Sequence, residues 1–196
     1  MVAVEPRVTE ELPTRPALAC IEVTSIARGT RMVDELCKRA PVHLLEAATI
    51  CPGKYLAVFG GDEAATSESY QRGLEVAGPT VVDQLLLPNA HPQLFPAIEA
   101  TGSVGELLAL GVVETFAVAS AILAADAACK RSPIQLIELR LARGLGGKAF
   151  FTLTGDLADV EASVKAAEEI LERSSGLLLR TEVIARPHRE LARWII

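Results

Sequence analysis

Two stretches decide how this chain is read: Asp34-Glu35-Leu36-Cys37-Lys38-Arg39-Ala40-Pro41-Val42-His43-Leu44-Leu45-Glu46 and Asp126-Ala127-Ala128-Cys129-Lys130-Arg131-Ser132-Pro133-Ile134-Gln135-Leu136-Ile137-Glu138. At a constant offset of 92 they share Asp34/Asp126, Cys37/Cys129, Lys38/Lys130, Arg39/Arg131, Pro41/Pro133, Leu44/Leu136 and Glu46/Glu138, and Glu22/Glu114 and Ala27/Ala119 extend the match upstream. Ordinary residue frequencies would supply about two coincidences between Ile21 and Glu46. Downstream the offset becomes 94, pairing Gly53/Gly147, Lys54/Lys148, Gly61/Gly155 and Asp62/Asp156, and then 97, pairing His91/His188, Leu94/Leu191 and Ile98/Ile195. The chain is a tandem duplication, and its second copy has two extra residues in one loop.

Both copies carry the same order of signals. An apolar strand (17–24; 110–115) leads to a helix (27–39; 118–131) and to a strand that begins after proline (42–50; 134–142). A glycine loop reverses the chain into a third strand (54–60; 148–154), and a second helix opens at Asp62 or Asp156, whose carboxylates are expected to cap first-turn amides. A fourth strand and a short final helix follow. The order β-α-β-β-α-β predicts an α+β fold, an α/β sandwich of two tandem ferredoxin-like repeats or a permutation of that arrangement. Each repeat is an antiparallel four-stranded sheet with helices. The Thr101-Gly102-Ser103-Val104-Gly105 stretch marks the boundary, giving a flexible extension over 1–16, a first domain over 17–105 and a second over 106–196.

Half of the 196 residues are hydrophobic, yet aromatic residues make up only 4%, so small aliphatic side chains supply the apolarity. The longest uncharged apolar run in the middle of the chain, Thr115 to Ala125, is too short for the roughly 20 residues a membrane-spanning helix needs. The first residues carry Glu5, Pro6, Glu10, Glu11 and Pro13 with no apolar stretch, unlike a secretory leader, so a cytoplasmic protein is expected. Apolar surplus without a membrane segment points to subunit interfaces. A net charge of −6 without a basic cluster argues against nucleic acid as a partner. Cys20, Cys37, Cys51 and Cys129 include no Cys-x-x-Cys pair, so a metal site within one chain is not expected, although one assembled between chains remains open.

Four segments carry a resemblance: Glu22-Val23-Thr24-Ser25-Ile26-Ala27-Arg28-Gly29, the Asp34 to Val42 segment, Thr49-Ile50-Cys51-Pro52-Gly53-Lys54, and Ile184-Ala185-Arg186-Pro187-His188. Together they resemble the domain of bacterial microcompartment shell proteins, and the pair resembles the tandem-domain trimeric class. The resemblance implies a homotrimer that mimics a hexagonal disc with a central pore. Such a disc tiles edge to edge with other shell proteins around encapsulated enzymes or redox partners, and catalysis is not its usual task. It also implies that Lys38, Lys130, Arg186 and His188 lie along the tile edge. The first copy departs from the Arg-Pro-His motif with Asn89-Ala90-His91-Pro92.

The two glycine loops differ between copies, Cys51-Pro52-Gly53 against Arg143-Gly144-Leu145-Gly146-Gly147, and are the expected pore loops. Pro52 favours an extended backbone before it and Gly53 permits positive φ, so Cys51 is presented from a stiff tip. Three symmetry copies could give three thiolates to one [4Fe-4S] cluster per trimer, in keeping with class members whose central loop carries Cys-Pro-Gly, and with electron transport across the shell. A bare pore thiol in a passive metabolite gate is the alternative. Cys20, Cys37 and Cys129 read as small buried hydrophobes, His43 as a surface residue, and Glu22 and Glu114 as structural rather than catalytic. The Gly144 to Lys148 stretch lacks a phosphate-loop pattern and reads as a tight pore turn that could pass or transiently hold an anionic metabolite, with a plain hairpin turn as the alternative. A redox carrier using Cys51 and a tandem ferredoxin-like small-molecule regulator are the rival classes.

Overall fold

The computed structural model describes Pro13, residues 16–174 and residues 176–195. Apart from Pro13 and Pro16, the expected extension over 1–16 lies outside them. The first repeat runs β1 (Ala17–Val23), α1 (Ile26–Arg39), β2 (His43–Ile50), β3 (Lys54–Gly61), α2 (Glu63–Ala77), β4 (Val81–Leu87) and α3 (Leu94–Glu99). The second repeats it as β5 (Ala109–Thr115), α4 (Val118–Arg131), β6 (Gln135–Leu141), β7 (Ala149–Gly155), α5 (Leu157–Arg173), β8 (Leu178–Ile184) and α6 (Arg189–Ile195). The expected elements are all present, with ends shifted by a residue or so.

The sheets have orders β2-β3-β1-β4 and β6-β7-β5-β8, and every neighbouring pair is antiparallel. Their registers obey the sequence offsets: Ala17 faces Gly61 as Ala109 faces Gly155, and Leu18 faces Leu87 as Leu110 faces Ile184. Even the irregularities recur, between Leu44 and Glu46 and again between Leu136 and Glu138. Residue-by-residue equivalence between repeats is therefore structural as well as textual.

Local chemistry starts the helices in different ways. The Ser25 hydroxyl accepts from the Arg28 amide at 3.2 Å, and the Asp62 carboxylate accepts from the Ala64 and Ala65 amides at 3.0 and 3.2 Å. Asp156 does not behave as expected. It stands at the N-cap of α5, but its side chain makes no capping bond, and only its carbonyl accepts from the Asp159 and Val160 amides. α4 starts at Ala117 with no side-chain cap and is held by burial instead, with Val118, Ala121, Ile122, Ala124, Ala125 and Ala128 all enclosed.

That enclosure comes from two sides. One apolar cluster (Ala19, Ile21, Met32, Leu36, Phe59) fills the space between the first sheet and α1 and α2. The other contains most of the second-repeat core and continues into the first sheet through Leu18, Cys20, Leu56 and Val58, and into α3 through Leu94 and Phe95. Gly60 marks how closely this seam packs. A Cβ there would sit 2.9 Å from the Phe95 ring and closer still to the Ala17 carbonyl oxygen, so only glycine fits.

Candidate functional site: the paired loops and the repeat junction

The β2–β3 turn is closed by the Gly53 amide donating to the Ile50 carbonyl at 3.0 Å, with Gly53 at φ +82° and a cis Cys51–Pro52 peptide. Cys51 is exposed at its tip. The β6–β7 loop uses Gly144, Gly146 and Gly147 at positive φ, and the Lys148 amide donates to Leu145 at 3.2 Å. The two loops lie side by side, since a Cβ on Gly147 would come 3.4 Å from the Cys51 carbonyl oxygen. Arg143 bridges them to the sheet by donating to Glu46 of the first repeat at 2.6 Å.

Behind each loop stands the same ion pair, Lys54 with Glu22 and Lys148 with Glu114, the second at 3.1 Å. This explains why the glutamates recur: each fixes the lysine that follows its loop. Glu22 is almost fully buried and Glu114 half so. Beside Glu22, Asp83 is held above the usual carboxylate range by burial first and by the Glu22 charge second.

The cysteines separate. Cys20 and Cys129 are buried, and burial pushes both thiols up, Cys129 to about 12. Cys37 corrects the expectation of a buried hydrophobe, because it is exposed on α1. Its helical equivalent Cys129 is buried and belongs to the apolar cluster that runs through both repeats. His43 is likewise not a free surface residue, since its Nε2 lies 3.2 Å from Oε1 of Glu99 in a half-buried contact.

The junction between the repeats is built from Gln93, which no sequence pattern singled out, and from His91, Asp126 and Lys130, which all recur. Gln93 donates from Nε2 to the Ile134 carbonyl at 3.0 Å and accepts from the Leu136 amide at 2.7 Å, so its side chain extends the edge of β6. The His91 amide donates to Asp126 Oδ1 at 2.8 Å, while Lys130 holds the other oxygen at 2.6 Å. Leu85 of β4 and Leu123 of α4 face a shared groove of about 420 Å³ with Asp83 and Phe116. The recurrences of Asp34/Asp126, Lys38/Lys130 and His91/His188 are the sequence signal that points to this contact.

Of the expected edge residues, Lys38 is exposed and paired with Asp34, Lys130 with Asp126, and Arg186 and His188 are exposed beyond β8, with His188 Nδ1 accepting from the Glu190 amide at 3.2 Å. They sit on different elements, and no direct contact joins the lysines to Arg186 or His188 among the described residues.

The model for the BMC domain matches residues 17–90 and again 109–187. The chain belongs to the BMC-domain family. It is a microcompartment shell protein of the tandem-BMC type. The bacterial microcompartment shell protein PduT of Citrobacter freundii is 42% identical over 180 residues, which is 92% of this chain and 97% of that protein. A single-repeat relative, the major carboxysome shell protein CsoS1 of Prochlorococcus marinus, is 37% identical over 92 residues, 47% of this chain and 85% of its own. Among solved structures, a microcompartment protein from Desulfitobacterium hafniense DCB superposes with a TM-score of 0.88 at 43% identity, over 92% of this chain and 99% of that one. Among the described residues of this BMC-family chain, no helix is long and apolar enough to cross a membrane.

Proposed function

We propose that three copies of this shell protein close head to tail into a pseudohexameric ring around a central pore lined by both loops, and that the three Cys51 thiolates of the ring hold one [4Fe-4S] cluster. The observation that carries the ring is the in-chain junction, whose surfaces recur in the other repeat without a cover. Asp126 is 5% exposed, whereas its equivalent Asp34 is open. Leu94, Phe95 and Ala97 of α3 are buried, whereas α6 leaves Leu191 37% and Trp194 87% exposed. A contact made head to tail within the chain and left open at both ends is what a closing ring requires. Six repeats in the ring take three chains.

The chemistry of Cys51 fits the cluster. Among the described residues no group of three or more His, Cys, Asp or Glu in one chain could hold a metal, so ligands must converge from several chains. Cys51 supplies one exposed thiol per chain from a turn tied at its base. Three thiolates suit an iron–sulfur cluster with one iron left to another ligand, and when bound such a cluster supplies one-electron transfer. The role of the protein is then structural, with an electron relay across the layer in place of catalysis.

Lateral contacts with other shell proteins are assigned to Lys38, Lys130, Arg186 and His188. Lys38→Ala with Lys130→Ala is expected to abolish sheets formed with partner tiles in electron micrographs. The Lys38–Asp34 pair is exposed on both sides and contributes little to folding, whereas the Lys130–Asp126 pair also supports the in-chain junction. Unchanged sheets would remove these lysines from the edge. For the ring itself, light scattering at micromolar concentration is expected to give three chain masses, and a monomer or dimer there would sink the reading.

A further inference from the structure

Repeat equivalence also predicts the chemistry of the contact between chains, and that chemistry differs from the contact inside the chain. The rules are fixed by the strand registers: first-repeat residues map onto the second at an offset of 92 through α1 and β2 and of 97 through β4 and α3. Inside the chain, Leu85 on β4 and Leu123 on α4 line one groove. At these offsets Leu85 becomes Glu182 on β8, and Leu123 becomes Arg31 on α1. An apolar pair has been replaced by two opposite charges on the surfaces that would meet in a ring.

We infer that Arg31 of one chain pairs with Glu182 of the next copy, and that this pair closes each chain-to-chain junction. The inference rests on the ring reading above. The partner is a second copy of this chain because the in-chain junction already shows which surface covers which: α4 lies against β4, so α1 of the next copy lies against β8. Both residues are exposed in the single chain. Glu182 holds Arg180 on its own strand at 2.9 Å, with both side chains more than half exposed, 58% and 74%, so that local pair is weak and free to rearrange. A neighbouring equivalence agrees in character: Ile122 of α4, buried in the in-chain junction, becomes Thr30 of α1, which is exposed in the single chain. A charged pair adds recognition and register to a junction whose open side also carries the apolar Leu191 and Trp194.

The test is a charge exchange on the full chain, read by the concentration at which trimers dissociate in light scattering. Arg31→Glu and Glu182→Arg are each expected to raise that midpoint at least about tenfold by setting like charges together at three junctions, and the double exchange to restore it. Added salt near 1 M should loosen the parent trimer, whereas Arg31→Leu with Glu182→Leu, which copies the in-chain pair, should remove the salt response. A parent trimer that neither single reversal weakens, or a double exchange that rescues nothing, overturns the pair while leaving the ring. A parent that is not a trimer fails the ring reading first, which keeps the two failures apart.

Discussion

Anaerobic reconstitution with iron and sulfide is expected to load about four iron atoms onto each parent trimer and none onto the trimer of Cys51→Ser. The contrast should be complete because no other thiol in the chain can substitute. Cys20 and Cys129 are buried with thiols pushed well above their usual range, so the thiolate that iron needs is suppressed. Cys37 is exposed, but partial burial and the Asp34 carboxylate also raise its thiol, and it sits on a helix rather than in a pore loop. Cys37→Ser is therefore expected to keep its iron. Equal iron and colour in parent and Cys51→Ser would refute the site. A colourless parent would leave Cys51 a bare thiol and the ring a passive gate.

The second large effect is expected at Phe95. Its side chain is 2% exposed in the seam where α3, the first sheet and the second repeat share one core. The phenyl ring packs directly against the Gly60 backbone, so its truncation opens a cavity in the seam. Phe95→Ala is expected to cost about 3–5 kcal/mol, lowering the thermal midpoint by roughly 10 °C in a chain of this size. Because the seam joins both repeats, they should still melt in one transition. Trp194→Ala, at the equivalent of Ala97 but exposed on α6, should leave the midpoint of the dissociated chain nearly unchanged. A shift below about 2 °C for Phe95→Ala would mean that each repeat is held by its own core and that the seam contributes little.

The fold was legible because each element is written twice. A strand or helix suggested weakly by one copy is supported by the other. The offset steps from 92 to 94 to 97 mark where the second copy lengthens, in the β6–β7 turn and chiefly at the end of α5, which has 17 residues against 15 in α2. The loop carrying Cys51 was legible for a related reason, as the place where the copies stop matching. Equivalence misled wherever neighbours rather than sequence decide a residue's state. Cys37 and Cys129 share a helical position, yet only Cys129 is covered, because one junction lies within the chain and the other does not. Asp156 occupies the position of Asp62 without its side-chain hydrogen bonds, and its carbonyl instead accepts from the Asp159 and Val160 amides. His43 finds Glu99 across 56 positions, a pairing that no local pattern encodes.

Burial of α4 against both repeats has a consequence for how a ring responds to dilution. One junction in every two forms by folding, at the effective concentration set by a short tether, and needs no collision. In the proposed ring the yield then follows the cube of chain concentration, where separate single repeats would follow the sixth power. Fusion thus lowers the order of the assembly reaction, and a ring of this kind comes apart only at alternate seams.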